Sequence, residues 1–282
     1  MLVKRRIFCS LLLAGWFGYV FAGSSGPHPK SHWPLWEEHN PLSKAHISHA
    51  TWQRFLDRRV IRNEEGITLV DYPHLTKADI MLLQSYLDEL SAIPVRNYNR
   101  REQLAYWINL YNALTVHTIA TRYPVESIED INISPGLFSI GPWRAPLVRV
   151  EGLTLTLEDI EDRILRPIWN DSRILYALNN ATLGAPNLSP RAYQATTLNR
   201  DLNKAAREYI NSARGVQVAD GQLVLSCLYD WYREDFGGNA EGVLHHLVQF
   251  ANPSLKTWLR TAPNINSYIY NWHLNTTTAE LS

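Results

Sequence analysis

The chain has 282 residues, with 27 basic side chains against 27 acidic ones, and 45% of it is hydrophobic. That is ample apolar material for one large domain or two closely packed ones, and the balanced charge excludes a general nucleic-acid binder, which needs a basic footprint. With Cys9 and Cys227 as the complete set of thiols, a disulfide-built scaffold is excluded as well.

The chain opens with Lys4-Arg5-Arg6 and then runs from Ile7 to Ala22 without a charged residue. That stretch is short for a bilayer span, which takes about 20 apolar residues. Val20 and Ala22 put small side chains before a cut at Gly23. The three parts together predict a secretory signal over residues 1–22, cleaved near Ala22, and a periplasmic or secreted product; retained, the same residues would form an N-terminal anchor. Cleavage leaves 24 basic residues against 27 acidic ones, and Cys227 as the one remaining thiol, expected as a buried structural cysteine. No later stretch offers about 18 consecutive apolar residues, so no membrane span is expected after the signal.

Residues 23–48 carry Ser, Pro, His and Trp without a period and read as a loose lead-in, with Trp33 and Trp36 available to dock. His28, His32 and His39 lack the spacing of metal ligands. The remainder, 49–282, reads as one globular domain. Its first helix is expected over Lys77–Ala92, capped by Thr76 with Asp79 in the first turn. The second, 101–122, is apolar on most faces, which marks a central helix. A tight turn at Glu151-Gly152 joins two short strands, 147–150 and 153–155. Thr156 caps a short helix, 157–165, that Pro167 should stop. Helical stretches are then expected from Ser189-Pro190 and from Thr197 to Ser212. A second hairpin spans 216–225, helices follow over 227–234, 240–251 and 254–261, and a closing strand covers 265–272. Helices dominate and the strands come as antiparallel hairpins, so the fold class is α+β.

Four groups carry potential chemistry. Asn109 and Asn112 share a face of the apolar second helix, and a buried amide without partners costs about 1–3 kcal/mol; they either pin a loop or line a pocket. The helix around Asp159, Glu161 and Asp162 offers paired carboxylates for acid–base work, or a solvated face laced by pairs four residues apart such as Asp162 and Arg166. Arg173, Asn180 and the Gly184-Ala185-Pro186 turn form a loop where backbone can approach a ligand. The fourth group is the aromatic and amide-rich end from Tyr270 to Asn275. Phosphate loops, zinc-protease, Cys-x-x-Cys and nucleophile-elbow motifs do not occur. No compact ligand spacing predicts a metal, and no cofactor is implied.

In order, these groups read Trp107–Asn112, Tyr123–Ile128, Leu157–Arg166, Arg173–Leu188, Trp231–Phe236 and Tyr270–Asn275. The series resembles the family catalogued as domain of unknown function 547, from about Trp52 to Asn275. That resemblance implies no particular activity. It does imply that relatives carry His or Cys where this chain has Asp162, Leu175, Asn180 and Ala185, so thiol–imidazole chemistry at those positions is not expected, since an amide cannot replace a thiolate nucleophile. The expectation is an exported protein with a thiol-independent pocket for a small molecule or envelope component, binding through Asn109, Asn112, Arg166, Arg173, Asn180 and Asn275. The competing expectation is a hydrolase or transferase on an envelope substrate, using Asp159, Glu161 or Asp162.

Overall fold

The computed structural model describes residues 7–9, 29–136, 139–261 and 264–277. The proposed signal cleavage site lies outside them. Its elements are β1 (Ile7–Cys9), α1 (Ala50–Arg59), β2 (Val60–Arg62), β3 (Thr68–Val70), α2 (Lys77–Ser91), α3 (Arg100–Ala120), β4 (Val148–Val150), β5 (Leu153–Leu155), a π-helix (Asp159–Leu165), α4 (Arg166–Trp169), α5 (Leu198–Ile210), β6 (Val216–Ala219), β7 (Gln222–Ser226), α6 (Leu228–Trp231), α7 (Ala240–Phe250), α8 (Pro253–Leu259) and β8 (Ile265–Tyr270). The fold is α+β. Antiparallel hairpins join β2 to β3, β4 to β5 and β6 to β7. The largest sheet runs β1-β8-β7-β6. In it β8 lies parallel to β7, a pairing that needs a crossover, which α6, α7 and α8 supply.

Two apolar clusters fill the interior. The first surrounds α3, whose residues are buried on every face, and takes in α1, α2, β4, β5 and the π-helix. The second is built from α5, β6, β7, β8 and α7. Thr76 caps α2 as expected: its hydroxyl accepts from Asp79 N, and the Asp79 carboxylate accepts from Thr76 N at 2.9 Å. Glu151 and Gly152 both sit at positive φ, +47° and +84°, which the two-residue turn between β4 and β5 demands. The Glu151 carboxylate accepts from Arg96 N (3.0 Å) and Arg96 Nε (2.5 Å), which holds the turn.

Four expectations need correction. Helix α1 and the β2–β3 hairpin carry weak signals: His49 gives α1 no side-chain cap, and each strand has only three residues. No helix starts at Ser189-Pro190. There Ser189 Oγ turns back on Arg191, and the Asn109 amide holds the Tyr193 backbone N–H and carbonyl. The closing strand ends at Tyr270. Finally, Pro167 does not stop the helix; the chain continues through α4.

What Pro167 does is remove an N–H. Its potential acceptors, four and five residues upstream, are the carbonyls of Arg163 and Asp162. Those two carbonyls accept instead from Trp33 N (3.2 Å) and Ser31 N (3.1 Å). The lead-in therefore runs beside the π-helix at Ser31 and Trp33. Trp36 is 1% exposed, edge-on to Trp107 with ring centroids 5.0 Å apart. Trp33 lies under the Arg163 guanidinium.

Candidate functional site

The π-helix explains the placement of its carboxylates. Looser winding than in an α-helix shrinks the angular step between neighbours, so Ile160, Glu161 and Asp162 all turn inward, and Ile164, Leu165 and Arg166 follow. Such stretches recur at functional sites. Glu161 and Asp162 come to lie where the two apolar clusters meet. From α3 the Tyr111 hydroxyl donates to Glu161 Oε2 at 3.1 Å. From across the boundary Tyr232 donates to the same carboxylate. Arg166 bonds Asp162 Oδ1 through Nη1 and Asp235 Oδ2 through Nη2, both at 2.5 Å, and its guanidinium lies 4.7 Å from the Tyr232 ring centre. Lys30 of the lead-in reaches the other Asp235 oxygen at 2.9 Å.

An aromatic wall continues this boundary. Tyr270 at the end of β8 packs against Trp231 and Trp272, each with centroids 4.8 Å away. Trp272 in turn meets Trp143 at 6.1 Å, edge to face. The Trp143 carbonyl accepts from Glu158 N, the residue that leads into the π-helix. Tyr270 is also near enough to Tyr111 to hinder its ionisation. Trp143, Trp272 and Tyr270 thus form a chain of ring contacts along the seam, with Tyr111 and Glu161 bonded nearby. Beside it Asn180, Thr182 and Tyr270 form a triangle: Asn180 Nδ2 and Thr182 Oγ1 each lie 2.9 Å from the Tyr270 hydroxyl, and Thr182 Oγ1 donates to Asn180 Oδ1 at 2.7 Å.

Electrostatics sets the seam apart. Burial pushes both Glu161 and Asp162 upward; the Asp235 charge adds to the rise at Glu161, and the Glu161 charge to the rise at Asp162. Asp162 is raised to about 8, because burial and the Glu161 charge outweigh the Arg166 ion pair. The ion pairs help explain why: among the described residues, the cations paired with this acidic group are Arg166 and Lys30, and Glu158 adds its own charge nearby. A retained proton lowers that excess of negative charge, and the pair titrates as a unit.

The remaining expected site residues lie elsewhere or are held by the chain itself. Asp159 belongs to a capping box with Thr156 and pairs with Arg163 at 2.7 Å. Asn109 grips the Tyr193 backbone, and Asn112 bridges the Ala177 carbonyl (2.9 Å) and Asn179 N (2.9 Å); both amides are buried. Arg173 clasps Asp171 and reaches Asn199 and Asn203 on α5. Asn275 is 1% exposed, and its side-chain amide makes a long contact to Asn179 Oδ1 at 3.5 Å. The Gly184 backbone approaches not a ligand but Asn271, whose carbonyl it meets at 2.8 Å. Of the expected set, the seam therefore gathers Glu161, Asp162, Arg166 and Asn180. It adds Tyr270 and Trp272 from the aromatic end, and Tyr111, Trp143, Trp231, Tyr232, Asp235 and Lys30, which sequence reasoning did not single out as site residues. Tyr232 and Asp235 were signalled by the Trp231–Phe236 motif.

Away from the seam, a polar depression of about 500 Å³ is lined by Glu38, His39, Asn40, Pro94, Arg96, Asn97 and Glu151. Its Arg96 is already bridged to both glutamates. Among the described residues no group of three or more His, Cys, Asp or Glu side chains is placed to hold a metal, and no helix is long and apolar enough to cross a membrane.

Residues 95–210 match the family described as protein of unknown function, DUF547. Over those residues the chain is similar to that family. No curated protein and no solved structure matches it. The DUF547 segment supplies Tyr111, Trp143, Glu161, Asp162, Arg166 and Asn180, one side of the seam. Trp231, Tyr232, Asp235, Tyr270 and Trp272 lie beyond its end. At the positions where thiol or imidazole was expected in DUF547 relatives, Leu175 and Ala185 are buried among apolar groups, Asn180 engages Tyr270, and Asp162 faces Arg166.

Proposed function

We propose that this protein is exported, with its signal removed near Ala22, and that it binds a small molecule or envelope component at the seam without using a thiol. The observation that carries the reading is the carboxyl–cation cluster of Glu161, Asp162, Asp235, Arg166 and Lys30 set beside half-buried tryptophans at the boundary of two apolar clusters. Binding sites favour such boundaries, where apolar walls carry a few polar groups that fix orientation. Groups with strongly shifted proton affinity also concentrate at functional sites.

A hydrolase or transferase is the second reading, and one feature favours it. A carboxyl that keeps its proton to about pH 8 is a general acid at neutral pH. Binding is preferred because the nucleophile has no obvious source. The Ser172–His246 contact at 3.3 Å lies in the second cluster, and the other His246 nitrogen faces the Tyr176 hydroxyl at 2.9 Å, with no carboxylate to orient the ring.

The test is secretory expression of the full chain, followed by intact-mass and native mass spectrometry. A mass beginning at Gly23 and a co-purified ligand are expected. Glu161→Gln, which keeps shape but removes the charge, should reduce ligand occupancy about tenfold, the scale of 1.4 kcal/mol for a charged hydrogen-bond partner. Equal occupancy in wild type and variant would sink the site assignment, and catalytic turnover of the released ligand would favour the second reading.

A further inference from the structure

We infer that the outer edge of β8 is a dimer interface: once residues 1–22 are removed, it pairs antiparallel with the β8 strand of a second copy of this chain, joining two sheets into one; this rests on the signal removal proposed above.

The first observation is what the edge holds. On one side β8 lies parallel to β7. On the other it pairs antiparallel with β1, whose Ile7 and Cys9 stand opposite Tyr270 and Tyr268. Strand β1 belongs to the proposed signal, so cleavage near Ala22 takes it away. Among the described residues no other strand lies on that edge. What cleavage uncovers is a row of N–H and C=O groups, a template for another strand. The groups can be named. The Ile269 carbonyl accepts from Cys227 N at 2.9 Å, so Ile269 turns toward β7. Peptide groups of successive residues point to alternate edges, so Asn266, Tyr268 and Tyr270 turn outward. The pairing with β1 uses the last two.

The second observation is that the sequence leaves this edge unguarded. From Asn264 to Thr277 there is no Asp, Glu, Lys, Arg or Pro. Within β8 itself, Ile265, Tyr268, Ile269 and Tyr270 are β-branched or aromatic, the types that suit strands. Sheets keep bare edges single with charge, proline or short strands. Strand β6, at the opposite edge of the sheet, is short: it has four residues and ends at the Asp220-Gly221 turn. The six residues of β8 have neither device nor brevity, as befits an edge that is normally covered.

Symmetry selects the second copy as the cover. A two-fold axis sets a strand against itself antiparallel, the direction β1 already takes. With the axis at Tyr268, that residue stands opposite its own copy and Asn266 stands opposite Tyr270. All are outward-turned, so each pair exchanges two hydrogen bonds. Ser267 and Ile269, both half-buried, face each other between them, and no like charges meet.

The experiment uses the secreted protein, its intact mass checked to begin at Gly23, in sedimentation over a range of micromolar concentrations with hydrogen exchange on the same samples. A reversible dimer is expected, with exchange at the Tyr268 and Tyr270 amides slowing as it forms. Ser267→Lys should weaken dimerisation about tenfold or more, since an inserted lysine is a device that keeps edges single. Ile61→Lys, at an exposed apolar position on β2, should leave it unchanged. A monomer at every concentration, a dimer whose Tyr268 and Tyr270 amides exchange as fast as in the monomer, or a dimer indifferent to Ser267→Lys overturns the inference. Should Ser267→Lys fail to fold, wild-type exchange decides. A mass beginning at Met1 would defeat the export reading instead, and the interface is then decided by the same measurements on protein expressed from Gly23 onward.

Discussion

Asp162 lies 2.5 Å from a guanidinium and still holds its proton toward pH 8, which shows how strongly burial and a neighbouring carboxyl compete with one ion pair. The consequence is measurable. A folded value near 8 against an ordinary value near 4 means that Asp162 stabilises the fold fully below about pH 4 and loses that contribution as pH rises toward 8. His49 and His246 act in the opposite sense. Burial draws each down to about 4, so their contribution is present above about pH 6.5 and is lost as pH falls toward 4. Two histidines outweigh one acid below about pH 6.5, and the acid alone acts above it. Thermal melting between pH 4 and 9 should therefore peak near pH 6.5, and Asp162→Asn should flatten the alkaline limb while keeping the acid limb. An unchanged alkaline limb in the variant would refute the assignment. At this scale the sequence made Glu161, Asp162, Arg166 and Asn180 visible through spacing and motif. Tyr111 was hidden because a tyrosine in an apolar helix reads as core, and only its partner reveals the hydroxyl's role.

Among the elements, those with local causes were legible. The Thr76 and Thr156 capping boxes, the Glu151-Gly152 turn and the apolar α3 each follow from residues a few positions apart. The π-helix was not legible, because its apolar spacing also fits an α-helix and the difference lies in which carbonyl each N–H chooses. Pro167 was read as a stop, whereas it works as a vacancy in the donor ladder that the lead-in fills through Ser31 and Trp33. Pro167→Ala restores an N–H that competes for the Asp162 or Arg163 carbonyl. The variant is expected to keep its fold, to exchange the Ser31 and Trp33 amide protons faster, and to be cut more readily by protease within residues 29–40. Unaltered exchange at both amides would show that the proline does not create the docking site. Helix α1 escaped notice for a plainer reason: His49 does not cap it, and its outward face is charged.

For the whole molecule, the sequence indicated α+β and a largely helical chain, but pairing between distant segments was out of reach. Nothing in a run of residues says that β8 lies parallel to β7, or that the segment after β8 returns to the centre. It does so thoroughly: Leu183 N and Gly184 N bond the His273 and Asn271 carbonyls (both 2.8 Å), Asn275 N bonds Ala181 O (3.0 Å), and Val70 N bonds Asn275 O (2.9 Å). Gly184 is required at this crossing, since an added Cβ would fall 2.7 Å from Asn271 N and 2.9 Å from its carbonyl oxygen. Gly184→Ala is therefore expected to destabilise by about 1–3 kcal/mol, which lowers the melting temperature by about 2–4 °C per kcal/mol in a domain of this size. A melting temperature equal to wild type would mean that the crossing yields without strain.

That returning segment also sets which long-range contacts can close, and when. Residues 271–277 bond simultaneously to the β2–β3 hairpin, to the turn at Glu126 and to the loop at 181–184, contacts separated by roughly 90 to 200 positions along the chain. While a ribosome is still making the chain, those partners wait without their central strut, and both sides of the seam lack Tyr270 and Trp272. Contacts of such long range close late, and none of these bonds can form before residues 271–277 have been made.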